Sequence, residues 1–193
     1  MPLRIPHASL TDAQWSALLP LLARSDTRGR PIRDPRGRMD AIFRLAATDD
    51  PWRLLPPGHG PAATVARYFR RLTHGGFWER LLIALAAAPK SHPLREIEGL
   101  ICRAASRAMR IRGLGLNVLA RRLNLKRALP GPPWMVANPI LSETLFAMKI
   151  PVRFPLLERN RAYVVRWCLG MRRLLTTAAG RRYIPSALKA CWR

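Results

Sequence analysis

Three arginines, Arg67, Arg70 and Arg71, stand in the stretch PAATVARYFRRL (61–72) at helical spacing, and they carry the clearest chemistry in this chain. In the same stretch Val65, Tyr68, Phe69 and Leu72 fall at i, i+3, i+4 and i+7, the apolar stripe of a helix lying on a core. The arginines repeat that spacing on another face. A guanidinium pairs in a fork with phosphate oxygens or with the edge of guanine, so a helix with one apolar and one arginine face fits a polyanion. The alternative for one such helix on its own is a solvated charged face. Ahead of it, the turn PWRLLPPGHG (51–60) places His59 and then Thr64 near the helix start, where residues of a DNA-reading helix meet base edges. Further back, RSDTRGRPIRDPRGR (24–38) holds six arginines with almost no apolar side chain. Arg28, Arg30 and Arg33 there belong to an arm expected to lie along a phosphate backbone or in a minor groove, with a solvated linker as the alternative.

Catalytic chemistry is much less evident. No aspartate follows Asp50, and beyond residue 90 the only carboxylate side chains are Glu96, Glu98, Glu143 and Glu158. Glu96 and Glu98, two apart on a helix, do not face each other. Cys102, Cys168 and Cys191 are odd in number and lack CxxC spacing, which predicts buried reduced thiols and neither a disulfide framework nor a zinc site. No metal, cofactor or small-molecule substrate is expected.

The charge balance agrees with a polyanion partner. Lys+Arg number 34 against 11 Asp+Glu, a net charge of +23 in 193 residues. Nucleic acid is the commonest partner for such a surface, because each phosphate neutralised releases condensed counterions; anionic membrane comes second. Apolar residues make up 49% of the chain, enough for a folded core. The longest apolar run, 81–88, is too short to cross a bilayer, and the first ten residues lack a secretory apolar segment, so a cytoplasmic protein is expected.

The elements that must position these residues read as all-α. A helix over 12–22 begins at a Thr11/Gln14 capping box, with Trp15, Leu18, Leu19 and Leu22 facing inward. A second helix over 37–48 buries Met39, Ile42, Phe43, Leu45 and Ala46. The turn at Pro51 then plugs Trp52, Leu54 and Leu55 into the core and leads into the arginine helix, with Pro61 at its first helical position. Helix, connection and basic helix follow helix-turn-helix logic. Gly75-Gly76 closes the basic helix, and Phe77, Trp78, Leu81, Leu82 and Leu85 form a return helix that ends by Pro89.

Leu10-Thr11-Asp12, Trp15, Pro20-Leu21-Leu22, Gly29-Arg30-Pro31, Pro51-Trp52-Arg53, Gly60-Pro61, Thr64-Val65, Phe69-Arg70-Arg71 and Gly76-Phe77-Trp78-Glu79-Arg80 together resemble one known domain. It is the small N-terminal domain that precedes the catalytic core in bacterial insertion-sequence transposases. The resemblance covers about residues 9–88 and implies a helical DNA-binding domain that recognises the element's terminal inverted repeats. The family usually has Gly-Cys where this chain has Asp49-Asp50, and an acidic residue where it has Leu54. The family's chemistry uses three carboxylates on a ribonuclease-H-like core to hold two metal ions. The carboxylate count after residue 90 predicts that this core, and its enzymatic activity, are absent.

Residues 1–90 thus read as a transposase-like helical domain, and 91–193 as a basic helical region with 20 Lys+Arg against 4 Asp+Glu. Leu94 to Ile111 carries the stripe Leu94, Ile97, Ile101, Ala104, Ala105 and Ala108, with Arg103, Arg107 and Arg110 on the other side. After the break Gly113-Leu114-Gly115 a helix is expected from Leu116 to Leu129, then the connector PGPPW with Trp134 covering that pair. Asn138-Pro139 starts another helix, and 156–178, apolar on more than one side, is either buried or paired with a partner, a homodimer included. Out-of-frame translation of a GC-rich gene also yields acid-poor, Arg- and Pro-rich sequence, but the caps and stripes over 94–129 argue against that origin. The leading expectation is a non-catalytic, transposase-related DNA-binding protein. The rival is a basic amphipathic helical interaction protein or anionic membrane-surface binder.

Overall fold

Caps set where the helices begin. In the computed structural model, which describes residues 7–22, 32–149, 161–181 and 183–192, Gln14 Oε1 accepts from Thr11 N at 3.1 Å and Thr11 Oγ1 accepts from Gln14 N at 3.3 Å. This capping box opens α1 (Asp12–Leu22) as its sequence predicts. Leu18 is buried and Trp15 and Leu22 pack partly against the core, but Leu19 is exposed and does not join them. α2 (Pro35–Thr48) starts two residues earlier than expected. Asp34 Oδ1 accepts from Gly37 N at 2.8 Å and Pro35 occupies the first turn, so the last residues of the arginine-rich stretch are helical rather than part of an arm. Ile32 packs against the core as well.

Between α2 and the arginine helix, residues 49–61 form two short 3-10 turns, Trp52–Leu54 and Pro57–His59. Leu55 is buried and Trp52 half-buried, whereas Leu54, expected in the core, is 57% exposed. A short 3-10 turn brings its third side chain round to the solvent side, so only two of the three apolar residues reach inward. α3 (Ala62–His74) buries Val65, Tyr68, Phe69 and Leu72, the stripe expected of it. Pro61 caps α3 in an extended conformation, φ −63° and ψ 125°, one position before the first helical residue rather than at it. Its carbonyl accepts from Thr64 N at 2.9 Å. Gly76, at φ 71°, makes the tight reversal into α4 (Phe77–Ala87). There the fully buried Trp78 donates from Nε1 to Thr73 Oγ1 at 3.0 Å, and its ring lies 5.4 Å from Phe69 and 5.0 Å from Phe77.

The one-turn α5 (Pro93–Glu96) leads into α6 (Glu98–Arg112), the centre of the molecule, which packs on α2, α3 and α4. Its buried face is Ile101, Ala104, Ala105 and Ala108, small enough for the backbones to approach closely. One buried apolar cluster therefore runs from Leu10 to Val136, across residue 90. α7 (Leu114–Arg122) begins at the Gly113 break but stops well before Leu129. Asn124, left-handed at φ 57°, ends it, with Leu125 N donating to Ala120 O and Asn124 N to Arg121 O, the Schellman arrangement.

Asn138 accepts from Leu141 N at 3.3 Å and opens α8 (Pro139–Ala147) as predicted, and α8 packs against α9 (Arg161–Ala179). Of the two alternatives for 156–178, burial is excluded over the helical part: within α9 only Ala178 is buried, and Tyr163, Val165, Leu169, Leu174 and Leu175 are exposed. Residues 156–160 lie outside the described ones. Trp134, expected as a cover, is 63% exposed and meets Trp192 of α10 (Ser186–Trp192) edge to face at 5.8 Å. Among the described residues the fold is all-α, with no strand.

Candidate nucleic-acid interface

The N-terminal ends of α2 and α3 meet at a cleft of about 400 Å³ lined by Arg33, Asp34, Gly37, Arg38, Gly58, His59, Gly60, Pro61, Thr64 and Val65. Three of the sequence candidates, Arg33, His59 and Thr64, are thus brought together. Gly60, at φ 81°, turns the chain at the end of the connection, and His59 lines the cleft together with Arg33 and Arg38. Asp34 is the one carboxylate of the cleft, and it is engaged in capping α2. Arg67, Arg70 and Arg71 are exposed on α3. No carboxylate pairs with them among the described residues. Arg38 and Arg71 approach the Tyr68 ring at 5.8 and 5.6 Å, which joins the cleft to the arginine face. Burial pushes the Tyr68 phenol up, against the opposing pull of Arg71 and Arg38. The remaining two candidates, Arg28 and Arg30, lie outside the described residues.

Arg38 is the site residue that sequence reasoning missed. By composition it belongs to the arginine-rich stretch, but the Asp34-Pro35 pair is a cap followed by a first helical proline, and that signal puts Arg38 one turn into a helix.

Other arginines turn inward. Arg80 donates to Leu21 O at 3.1 Å and Gly75 O at 2.7 Å, Arg95 to Ala88 O at 3.2 Å, and Arg36 to Leu10 O at 2.6 Å. Arg121 holds the Pro133, Val136 and Ala137 carbonyls, and burial lowers its pKa. Arg103 and Arg107, expected on the open side of their helix, instead donate to Ala47 O and Asp50 O. The last carbonyls of a helix have no partner of their own, and Arg80, Arg95 and Arg103 supply one at the ends of α1, α3, α4 and α2.

Three of the glutamates are likewise engaged in the frame, whereas Glu143 is exposed on α8 and Glu158 lies outside the described residues. Glu96 accepts from Gln14 Nε2 at 2.8 Å, Glu98 pairs with Arg95 at 3.0 Å, and Glu79 pairs with Arg112 at 2.6 Å. Among the described residues no group of three or more His, Cys, Asp or Glu is placed to hold a metal ion.

The segment joining α2 to α3, residues 49–61, is longer than the three- to four-residue turn of a tight helix-turn-helix. Within residues 10–82 α3 and α4 are joined by a short turn, but α4 buries Phe77, Trp78, Leu81, Leu82 and Leu85 and offers no comparable basic face.

Neither a curated protein nor a solved structure matches the chain. Residues 10–82, which run from the start of α1 into α4, match the family model described as "Putative transposase of IS4/5 family (DUF4096)", so the N-terminal region of this chain is similar to that transposase family.

Proposed function

We propose that this transposase-related chain is a non-catalytic DNA-binding protein that grips duplex DNA, the ends of an insertion element among its targets, with α3 and the adjoining cleft. One observation carries the proposal. Arg67, Arg70 and Arg71 stand exposed on one helix and continue into a cleft lined by Arg33, Arg38, His59 and Thr64. Such a surface suits phosphates along the arginine face, with His59 and Thr64 at the helix start toward base edges. The engagement of Glu79, Glu96 and Glu98 in ion pairs and hydrogen bonds supports binding without strand cleavage. A DNA target also favours a cytoplasmic location.

The test is fluorescence anisotropy of the full chain on labelled duplex DNA at several salt concentrations. Binding that weakens steeply with salt and is lost in the Arg67→Ala, Arg70→Ala, Arg71→Ala variant supports the reading, and salt-independent binding refutes it. Metal-dependent nicking of the same duplex would refute the non-catalytic part.

A second reading has its own observation. Tyr163, Val165 and Leu169 are exposed among Arg161, Arg166, Arg172 and Arg173 on α9, a pattern that suits an anionic membrane surface, although no helix among the described residues is long and apolar enough to cross a membrane. Anionic vesicles that displace DNA from the chain would favour it. A homodimer through the open side of α9 is a further arrangement, decided by sedimentation equilibrium.

A further inference from the structure

We infer that Arg107, with Arg103 one turn before it on α6, is a positioning residue for the DNA site. The inference rests on the DNA-binding reading above and assigns a working part of that site to the half of the chain outside the matched family region.

The argument starts from the connection between α2 and α3. Residues 49–61 carry few inward side chains: Leu55 is buried and Trp52 half-buried, while Arg53 and Leu54 are exposed. The cleft wall at His59 and Gly60 sits at the far end of this segment. Such a connection needs anchors from elsewhere, and α6 provides them. Arg103, 8% exposed, donates to the Ala47 carbonyl in the last turn of α2. Arg107 donates to the Asp50 carbonyl, and its guanidinium lies over the Trp52 ring at 4.9 Å. The Trp52 ring is itself 5.2 Å from Phe69, on the buried face of α3. A continuous line of contact therefore runs from α6 through Trp52 to the helix that bears Arg67, Arg70 and Arg71.

Both arginines face the protein rather than solvent, so neither is a DNA contact. They act by keeping the connection in one arrangement. If they are weakened, the binding-competent arrangement becomes a smaller fraction of the population, and the apparent Kd rises by the inverse of that fraction at every salt concentration. The number of phosphate contacts in the complex does not change, so the salt slope stays the same. Losing a phosphate contact lowers the slope by about one.

The test uses the full chain with Arg107→Lys, which keeps the charge but cannot serve both the carbonyl and the ring, and Trp52→Leu as a second variant that keeps apolar bulk. Arg67→Ala is the control for a direct contact. Amide hydrogen exchange is measured in the free proteins and duplex binding across salt. In both test variants the structure predicts exchange over 50–60 at least about tenfold faster, with Kd raised about tenfold and the salt slope unchanged. Arg67→Ala lowers the slope and leaves exchange over 50–60 as in the parent. A purely structural role for Arg107 would lower the melting temperature while leaving Kd at 25 °C and local exchange unchanged; that result overturns the inference. So does a reduced slope, which would make Arg107 a phosphate contact. If the parent chain shows no salt-dependent DNA binding, the DNA reading fails and the positioning role falls with it; faster exchange would then leave a clamp without that purpose.

Discussion

Removing the three α3 arginines together is the sharpest test of the interface. Counting Arg33 and Arg38 of the cleft with Arg67, Arg70 and Arg71 gives five guanidinium groups on one continuous surface. If each meets a phosphate, the slope of log K against log salt is about −4.5, and binding weakens roughly 500-fold between about 50 and 200 mM salt. With alanine at 67, 70 and 71, two contacts remain; the slope falls to about −1.8 and the loss over the same range to roughly 12-fold. Stability should hardly change, because exposed substitutions of this kind stay within about 0.5 kcal/mol and alanine favours the helix. The one packed member is Arg71, over the Tyr68 ring at 5.6 Å, worth about 0.5–1 kcal/mol at an exposed site. Anisotropy titrations at four salt concentrations, with thermal melts of both proteins, separate the two effects. A variant that melts normally and keeps the parent slope would refute the assignment of DNA contacts to α3.

Three further outcomes follow from the same structure. Cys168 is exposed, contrary to the expectation of buried thiols, whereas burial pushes the Cys102 thiol up to about 12; in a Cys191→Ser background Ellman's reagent should modify one thiol quickly and Cys102 only on unfolding. His7, beside Asp40, Arg44 and His59, has its pKa lowered below 6.5, mainly by burial. The unfolded chain then binds more protons than the folded one, so this contribution to stability is complete above pH 6.5 and is lost as pH falls through the lowered folded value. Urea midpoints should drop more between pH 7 and pH 5 in the parent than in His7→Gln. Gly180, at φ 73°, ends α9 against the Met135–Ala137 backbone, and a Cβ there would lie 2.5 Å from Ala137 N. Gly180→Ala should cost more than about 1–2 kcal/mol and speed tryptic cleavage after Arg181, whose N–H donates to Met135 O at 2.7 Å.

Sequence pattern made the helices of this fold legible where caps and apolar spacing coincided. The Thr11/Gln14 box, the α3 stripe, the buried side of α6 and the Asn138-Pro139 start all lie where their spacing put them. Misreadings arose where a signal depended on tertiary contact. Leu54 and Trp134 are apolar residues that local pattern sends inward, but a 3-10 turn and an open connector leave them at the surface. The end of α7 was hidden because Asn124 takes the left-handed conformation that glycine usually marks. Within the site, Arg67, Arg70 and Arg71 could be chosen from helical spacing, and Thr64 from its place at the helix start. Arg38 could not, because composition does not divide the arginine-rich stretch from the first turn of α2.

Arginine itself was the least legible residue, because a helical wheel gives each one a face but not a partner. Arg103 and Arg107 share a spacing with the exposed Arg110, yet both reach back to the end of α2 and its connection. Helix C-termini expose carbonyls with partial negative charge, and a buried guanidinium near one is held there by several hydrogen bonds at once. Arg80 does this for α1 and α3, Arg95 for α4, and Arg103 for α2. The net charge of +23 therefore overstates what DNA can meet, since part of it is engaged inside the frame. It also follows that the matched region, residues 10–82, is capped only in part from within itself: Arg80 closes α1 and α3, but the end of α2 and the turn after it are held by α6, beyond the match. Deleting the second half would remove those partners along with any DNA contacts it makes, so loss of binding in a truncated chain would not separate recognition from folding. Substitutions at exposed arginines of the intact chain, read through the salt slope, do separate them, because slope counts contacts made in the complex while inward arginines change only how often the site is formed.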